Sequence, residues 1–311
     1  MRDTEQLISE LKSDPDIECV LRNAPMSEYC SFKAGGRADC LLVPRGEAAF
    51  VRVLSLIFGM GLPYFVMGAG SNLLVRDGGF RGVIVKPGAD LRAVRVGGNL
   101  ITALCGASLA AVSDAAADAA LGGLEFARGI PGSVGGALYM NAGAYGGDIG
   151  GVTESAKVFT PADGAVLFLR RNEMEFSYRS SLFRRSGVVV LEARFELVPA
   201  DEADIRARMA EFARRRAEKQ PLSAPSAGSF FKRPTGGFAG KLIEDAGLAG
   251  LSCGGARVSP LHAGFIVNEG GATASDITDL MEIVRSTVFD RFGVMLEPEV
   301  RIIGDDIQTP L

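Results

Sequence analysis

Two glycine-rich segments, each with a serine, are the parts of this sequence whose residue types most clearly permit chemistry. The first is Gly-Ala-Gly-Ser-Asn at residues 68–72, and the second is the glycine-dense run from Gly129 to Ile149. Glycine lets the backbone turn sharply and approach a ligand closely, and successive N–H groups in such turns bind anions. Ser71 and Ser133 add hydroxyl donors. The segments therefore predict a phosphate or diphosphate site.

A flexible loop is the alternative interpretation of the second segment. Stiff and bulky residues interrupt its glycines, unlike a Gly/Ser linker, and they are Pro131, Leu138, Tyr139, Met140 and Tyr145. The run is therefore expected to be neither a simple linker nor an ordinary core element. The first segment is not a dinucleotide-binding G-x-G-x-x-G, because Leu73 replaces the third glycine and the following residues predict a strand instead of a helix.

Composition and charge exclude several classes of protein. The chain has 311 residues, 47% of them hydrophobic, which is enough for a full core and about two domains. Its net charge of −4 argues against nucleic acid or an anionic membrane as partner. The odd number of cysteines shows no CxxC spacing, so we expect buried thiols and neither a disulfide framework nor a zinc or other metal site. The cysteines are Cys19, Cys30, Cys40, Cys105 and Cys253.

Two further stretches bear on location. The polar first residues lack an apolar signal core, which favours a cytoplasmic protein. Residues 53–75 carry no charge and are long enough to span a bilayer, but glycines and Pro63 interrupt them. We therefore expect a helix from Glu47 to Phe58 followed by strands, and no transmembrane segment.

The elements that must position the glycine segments fall into three predicted regions. Residues 1–90 are expected to hold, besides an N-terminal helix and the helix just named, the strands Cys40–Val43, Tyr64–Met67, Leu73–Val75 and Val83–Val85. Residues 91–200 are expected to hold a helix from Ser108, its N-cap, to Leu121, and the strands Leu91–Val96, Leu100–Cys105, Val152–Phe159, Val166–Leu169 and Val188–Val198.

Residues 201–311 form the third predicted region. Its expected helices are Asp201–Lys219, Gly240–Ala246 and Thr273–Phe292, and its expected strands are Phe265–Asn268 and Val294–Ile303. The first of these helices ends in Arg214-Arg215-Arg216, which is typical of a solvated helix terminus, where cations complement the dipole. A loop rich in Pro, Ser, Ala and Gly is predicted between Gln220 and Gly240.

Five segments, in order, carry a resemblance to a known family. They are Met-Gly-Ala-Gly-Ser-Asn-Leu-Leu-Val at 67–75, Gly-Ile-Pro-Gly-Ser-Val-Gly-Gly at 129–136, Tyr-Arg-Ser-Ser-Leu-Phe at 178–183, Ala-Gly-Ser-Phe-Phe-Lys at 227–232 and Leu-Glu-Pro-Glu-Val-Arg at 296–301. Together they closely resemble the motifs of UDP-N-acetylenolpyruvylglucosamine reductases. The short spacing from Tyr178 to Val188 resembles the compact subgroup, and Arg233 stands where many members have Asn.

The resemblance implies an α+β fold. It would consist of a two-subdomain FAD-binding fold of the vanillyl-alcohol-oxidase type, in residues 1–90 and 91–200, and a C-terminal α+β substrate domain in residues 201–311. It also implies non-covalent FAD, NADPH as co-substrate, and reduction of UDP-N-acetylglucosamine enolpyruvate to UDP-N-acetylmuramate in peptidoglycan precursor synthesis, without an obligatory protein partner. The FAD-binding residues would be Gly68, Ala69, Gly70, Ser71, Asn72, Gly129, Gly132, Ser133, Gly136 and Ala137.

That reaction needs a way to bear negative charge and a proton donor. Hydride addition to an enolpyruvyl group develops charge on the neighbouring carbon and its carboxylate, which Arg179 could grip at two points. Ser229, among small loop residues, would protonate the carbon, with help from Lys232 or the field of the site. Glu299 would order the carboxylate or the proton path. The resemblance adds Tyr178, Lys219 and Lys232 as substrate-binding residues.

Several alternatives stay open from the sequence. His262, the only histidine, is expected to be a structural or substrate-side residue and not a general base. Asn141 and Tyr145 either line the flavin or substrate cleft or have no part in it. A flavin oxidase with tethered FAD is a rival function, although His262 lies outside the predicted FAD domain and Cys105 has no matching motif. A non-catalytic nucleotide-sugar sensor is another.

Overall fold

The computed structural model describes residues 2–306 of the chain, which contain both helices and strands. The helices are α1 (Arg2–Leu11), α2 (Met26–Tyr29), α3 (Glu47–Gly59), α4 (Leu109–Asp118), α5 (Val134–Met140), α6 (Ile149–Val152), α7 (Phe183–Ser186), α8 (Glu202–Lys219), α9 (Ala239–Asp245) and α10 (Ala274–Phe292). Short 3₁₀ turns occur at Ala89–Arg92, Glu125–Ala127 and Arg171–Glu173. Among the described residues, no helix is long and apolar enough to cross a membrane.

The strands are short, and many contain only two or three residues. They are β1 (Ile17–Pro25), β2 (Arg37–Pro44), β3 (Tyr64–Val66), β4 (Leu73–Val75), β5 (Phe80–Val85), β6 (Val94–Gly97), β7 (Leu100–Leu104), β8 (Leu121–Gly122), β9 (Gly143–Ala144), β10 (Gly147–Asp148), β11 (Thr153–Thr160), β12 (Ala165–Arg170), β13 (Val189–Glu196), β14 (Val198–Pro199), β15 (Ser252–Cys253), β16 (Ala256–Val258), β17 (Ile266–Asn268) and β18 (Arg301–Ile303).

Hydrogen bonds join these strands into several sheets, which differ in the number and the order of their strands. The larger ones are a five-stranded antiparallel sheet of order β12-β11-β13-β7-β6 and a four-stranded sheet of order β1-β2-β5-β3. A three-stranded antiparallel sheet has the order β15-β16-β17. In a separate pair, β18 runs parallel to β4 with Arg301 opposite Leu73.

Contacts divide the chain into two compact units. Unit 1 contains the residues up to Arg22, Cys40–Ala69 and Gly82–Arg216, and unit 2 contains Asn23–Asp39, Gly70–Arg81 and the described residues from Ala217 onward. The prediction of three domains, with boundaries at residues 90 and 200, stays a prediction. The first residue of the first predicted domain and residues 307–311 of the last one lie outside the described residues.

Unit 1 has a core formed by its larger sheet and the helices against it. Phe50, Phe159 and Phe195 are fully buried there. Ser108 caps α4 as predicted, since its hydroxyl oxygen accepts a hydrogen bond from the Ala111 N–H at 3.1 Å. Such a cap satisfies one of the donors left over at a helix start. The helix therefore begins where the sequence predicts, although it ends at Asp118 and not at Leu121.

Unit 2 has a separate core around α10 and its small sheet. Phe32 packs edge-on against Phe230, with ring centroids 6.1 Å apart, and both are fully buried. Helix α10 begins with a capping box between Thr273 and Asp276. The carboxylate of Asp77 accepts hydrogen bonds from the first N–H groups of the same helix at 2.8 and 2.7 Å. A negative charge stabilises that end of a helix.

Several sequence-based expectations for the elements are wrong. The strand predicted from Leu91 to Val96 starts only at Val94, because Leu91 lies in a 3₁₀ turn and its carbonyl accepts from Gly106 at 2.8 Å. The strand predicted from Val294 forms only at Arg301–Ile303, since Pro298 lacks an N–H for a ladder. The glycine run was not expected to be an ordinary core element, but it contains α5, whose Val134 and Leu138 are buried in the core of unit 1. Strand β1 was not predicted.

Candidate active site

In unit 1, the two glycine segments touch each other. A side chain at Gly68 would overlap the Oγ of Ser133, and its Cβ would lie 4.0 Å from the backbone nitrogen of Gly136. Gly136 is exposed and Ala69 is exposed beside Gly68. Gly68 and Gly136 thus form a patch of bare backbone, which means backbone atoms that no side chain covers. Residues with a side chain could not form it. A diphosphate or flavin can approach such a patch closely, so the residues present fit a bound FAD.

The first N–H groups of α5, however, are already bonded within the protein. The Val134 and Gly135 N–H groups donate to the carbonyls of Ala107 and Cys105, both at 2.8 Å. The Gly136 N–H donates to the Ser133 Oγ at 3.4 Å, and the Ala137 N–H donates to the Ser133 carbonyl at 2.8 Å. An anion bound at the glycine run must therefore be held by the residues before α5, and Ser133 acts as a helix cap. Fewer backbone N–H groups are available to bind a phosphate than the sequence suggested.

Of the other predicted FAD-binding residues in unit 1, Gly129 is exposed, Gly132 is partly exposed, and Ala137 is only 3% exposed. The guanidinium of Arg216 lies against Gly129, where a Cβ would be 3.3 Å from it. Among the described residues, the Nε of Arg216 is buried without a hydrogen-bond partner. Of the arginines expected at a solvated helix terminus, Arg216 is thus partly buried. Arg214 and Arg215 are exposed and pair with Glu211 on α8.

Tyr178 and Arg179 form the tip of a tight turn. Ser177 and Ser180 close it with two backbone hydrogen bonds, of 3.0 and 3.1 Å. Arg179, the third residue of the turn, has a φ of +52°. That conformation normally selects glycine or asparagine, and it costs other residues about 1–3 kcal/mol. Backbone strain of this size is typical of functional positions, where the surrounding structure holds it in place.

Backbone carbonyls of the glycine run orient the Arg179 side chain. Its Nη1 donates to the carbonyl of Asn141 at 3.4 Å, and its Nη2 donates to the carbonyl of Gly143 at 3.1 Å. The guanidinium also lies 5.3 Å from the centroid of the Tyr178 ring. Two motifs that lie 38 residues apart in sequence are thus brought together in unit 1. No pattern in the sequence pointed to these carbonyls.

Asn141 is buried and does not line a cleft by its side chain. It is 5% exposed and ends α5 in the left-handed conformation, with a φ of +44°. Asparagine is one of the residues that favours this position after a helix, and that signal was available in the sequence. Tyr145 instead stacks on Phe212, with ring centroids 4.4 Å apart, and its hydroxyl donates to the Phe212 carbonyl at 3.2 Å.

In unit 2, the Ser229 loop runs alongside the segment that carries Glu299. The Glu299 N–H donates to the Phe230 carbonyl at 2.8 Å, and the Lys232 N–H donates to the Glu297 carbonyl at 2.8 Å. Ser229 itself is exposed and Glu299 is partly exposed. The predicted proton donor, Ser229, and its predicted partner, Glu299, are therefore on adjacent backbone segments of one unit, and Ser229 is open to solvent.

The remaining predicted residues of unit 2 differ in surroundings. The Asn72 side chain donates to the Glu299 carbonyl at 3.2 Å, so it supports this segment. Gly70 is buried with a φ of +68°, and Ser71 is partly exposed. Lys232 forms an ion pair with Glu297, which competes with the predicted effect of Lys232 on Ser229. Lys219 is exposed at the last position of α8.

His262 is held in a neutral form by its surroundings. Its Nδ1 accepts a hydrogen bond from the Gly264 N–H at 3.1 Å, and its ring packs edge-on against Phe265. Burial lowers the pKa of His262 below its ordinary value. Since Nδ1 is an acceptor, the neutral ring carries its proton on Nε2. This environment agrees with a structural or substrate-side residue.

Two known protein domains match parts of this chain. The profile of the FAD binding domain matches residues 38–170, and that of the UDP-N-acetylenolpyruvoylglucosamine reductase C-terminal domain matches residues 220–303. The chain is therefore an FAD-binding flavoprotein with a second, C-terminal domain. The predicted α+β fold, an FAD-binding fold with a C-terminal domain, is confirmed.

Full-length relatives define the family. The UDP-N-acetylenolpyruvoylglucosamine reductase of Clostridium kluyveri is 48% identical over 98% of this chain and 100% of its own, and that of Clostridium botulinum is 50% identical over 92% and 93%. The crystal structure of the reductase from Thermus caldophilus superposes with a TM-score of 0.80 at 34% identity, and covers 91% of this chain and 98% of that one. The chain belongs to the UDP-N-acetylenolpyruvoylglucosamine reductase family.

Proposed function

We propose that the protein is an NADPH-dependent flavin reductase that converts UDP-N-acetylglucosamine enolpyruvate to UDP-N-acetylmuramate, a step of peptidoglycan precursor synthesis. Family membership supports the reaction. The observation in the molecule that carries it is Arg179, a cationic fork held at the tip of a strained turn by two backbone carbonyls. A fork of this kind suits the planar carboxylate of an enolpyruvyl group.

The cofactor is FAD, bound without a covalent link. The bare backbone of Gly68 and Gly136 beside Ser133 supports a role for both glycine segments in holding it. When bound, FAD would carry hydride from NADPH to the substrate. Cys105, a conceivable tether, is 3% exposed, and burial raises the pKa of its thiol to about 12, which makes it a poor nucleophile.

The chain's own groups bear the charge and the proton. Arg179 grips the substrate carboxylate at two points and stabilises the negative charge that develops beside it, an effect worth about 10²–10³ in rate. Ser229 donates the proton to the carbon, and Glu299, on the adjacent segment, orders the proton path. Tyr178, Lys219 and Lys232 bind the sugar nucleotide. Arg179 and Tyr178 share one turn, so substrate contacts made by both would be coupled.

Location and partners follow from composition. The described cysteines form no disulfide, which suits the reducing cytoplasm. The net charge of −4 offers no attraction to nucleic acid or an anionic membrane. We infer a cytoplasmic enzyme that needs only its two small-molecule substrates and no protein partner.

One spectroscopic experiment tests the function. The purified protein should be yellow, lose its colour with NADPH, and regain it without oxygen when the enolpyruvyl sugar nucleotide is added. An oxidase would regain colour with oxygen and not with the sugar nucleotide. A sensor would bind the sugar nucleotide and consume no NADPH. Flavin that stays with acid-precipitated protein would contradict the non-covalent link.

A further inference from the structure

Asn141 connects the turn that carries Arg179 to the end of the glycine run. Its side-chain Nδ2 donates to the Ser177 carbonyl at 3.0 Å, and its Oδ1 accepts from the Gly150 N–H at 2.8 Å. Its own backbone carbonyl accepts from Arg179. One buried residue thus contacts the first residue of the turn, the Arg179 side chain at the tip, and the start of α6.

The Asn141 side chain contributes a constraint that Arg179 needs. The Ser177 carbonyl also closes the turn by accepting from Ser180 at 3.1 Å, so the bond from Asn141 fixes the group on which the turn depends. Because the left-handed backbone of Arg179 is disfavoured, the turn relaxes unless its neighbours hold it. Relaxation would move the guanidinium away from the Asn141 and Gly143 carbonyls.

A second contact holds the other side of the turn. The hydroxyl of Ser181, which is fully buried, donates to the Tyr139 carbonyl at 2.9 Å. Tyr139 and Asn141 both lie at the C-terminal end of α5, where helix carbonyls lack partners within the helix. The end of α5 therefore contacts the turn on both sides, while Arg184 on α7 donates to the Arg179 carbonyl at 3.0 Å. Of Tyr139 and Asn141, Asn141 is the one that binds both the Ser177 backbone and the Arg179 side chain.

We propose that Asn141 is a positioning residue for Arg179, and that it sets the orientation of the guanidinium that grips the substrate carboxylate. This inference rests on the proposed carboxylate role of Arg179. A shift of about 1 Å in a positioned group can slow a reaction by about 10²-fold. Loss of the Asn141 side chain should therefore impair the carboxylate-dependent step and leave cofactor binding intact.

Asn141→Gly is the first variant, because glycine keeps the left-handed backbone and removes both side-chain hydrogen bonds. Asn141→Asp is the second, since it keeps the acceptor for Gly150 and replaces the donor to the Ser177 carbonyl by an oxygen. Thr153→Val is the matched control, because it removes another buried hydrogen bond next to α6, from Thr153 to the Ile149 carbonyl at 2.7 Å, and does not touch the turn.

The FAD-loaded enzymes are studied by rapid mixing without oxygen. Reduction by NADPH and the flavin content should stay normal in all variants. Reoxidation by the enolpyruvyl substrate should slow about 10–10²-fold in both Asn141 variants and stay unchanged in Thr153→Val. The dissociation constant for UDP-N-acetylmuramate, measured by perturbation of the flavin absorbance, should rise about tenfold in Asn141→Gly, a readout that does not depend on turnover.

A double-mutant cycle with Arg179→Ala separates positioning from general damage. If Asn141 acts through Arg179, Asn141→Gly should slow the Arg179→Ala enzyme no further. Slowing that multiplies across the two sites, or normal reoxidation in Asn141→Gly, overturns the role of Asn141 and leaves that of Arg179. Normal reoxidation in Arg179→Ala alone overturns the carboxylate role itself, and the positioning role with it.

Discussion

Arg179 and Ser229 depend on their surroundings in different ways. Arg179 is oriented by hydrogen bonds to two carbonyls and by a strained backbone. Ser229 is exposed in a loop that its neighbours Phe230 and Lys232 anchor by backbone hydrogen bonds. The Ser229 hydroxyl takes no part in these hydrogen bonds. Ser229 can therefore be substituted with little effect on the fold.

This difference makes Ser229→Ala a clean test of proton transfer. Reduction of the flavin by NADPH should proceed at close to its normal rate, because that step places no proton on the sugar nucleotide. Reoxidation by the enolpyruvyl substrate should slow by at least about 10²-fold, and Ser229→Cys should recover part of the loss. Rapid-mixing absorbance measures both steps. Equal slowing of both, or of neither, would remove Ser229 from the role of proton donor.

His262 should make stability depend on pH. Burial lowers its pKa in the folded protein below the ordinary value near 6.5. The unfolded chain therefore binds a proton at higher pH than the folded chain does, so His262 contributes full stability above that value and loses it as the pH falls toward the lowered pKa. Melting temperatures from pH 8 to 5 should fall less in His262→Asn, which keeps an acceptor for Gly264. Identical pH profiles would contradict this.

At the scale of elements, α5 and α6 begin in the same way. Each starts at a capping side chain, Ser133 or Asp148, that accepts a hydrogen bond from the third helical residue, Gly136 or Gly151. Both glycines are exposed, and a Cβ at either would meet the capping oxygen at an ordinary distance of 3.4 or 3.5 Å. Only Gly136 lies next to the bare backbone of Gly68.

The pair therefore separates helix stability from cofactor binding. Gly136→Ala and Gly151→Ala should each stabilise the FAD-free protein by about 0.5–1 kcal/mol, because alanine loses less backbone entropy in a helix. Gly136→Ala alone should weaken FAD binding, since its methyl group covers backbone that the cofactor approaches. Calorimetry of the FAD-free protein and flavin titration measure the two effects. Equal FAD affinity in both variants would remove Gly136 from the cofactor site.

At the scale of the whole molecule, each unit has its own core, and most thiols lie inside one. Cys40 and Cys105 are buried in unit 1, and Cys30 is buried in unit 2, with exposed fractions of 3% or less. Burial raises the pKa of Cys30 and of Cys105 to about 12. Cys19 and Cys253 are partly exposed.

The rate at which each cysteine is alkylated should show which thiols are buried in the two units. At neutral pH an alkylating reagent should modify Cys253 and Cys19 in the native protein and leave the three buried cysteines unmodified, because the reagent cannot reach a buried thiol and the raised pKa of Cys30 and Cys105 keeps those two protonated. All five cysteines should react in denaturant. Peptide mass spectrometry gives the order of labelling. Early modification of Cys105 in the native protein would contradict the burial.

Local sequence patterns predicted much of this fold, because helix ends and hydrophobic periodicity depend on neighbours in the chain. Helix α3 was predicted within one residue, and the cap Ser108 was read correctly from residue type. The failures at Leu91 and Pro298 have different causes. The Leu91 carbonyl bonds to Gly106, and such pairing leaves no local signature. Pro298 lacks an N–H, so its segment forms only an isolated bridge to Phe231.

The sequence alone was sufficient to indicate the family, the cofactor and the residue types that the reaction needs, because five motifs occur in order along the chain. The tertiary structure decided how those residues are held. The Arg179 side chain meets carbonyls 36 and 38 residues before it, and Asn141 bonds across the same interval to Ser177. Packing of the end of α5 against the turn creates these contacts. Since that packing is the sum of many distant interactions, no window of the sequence contains it.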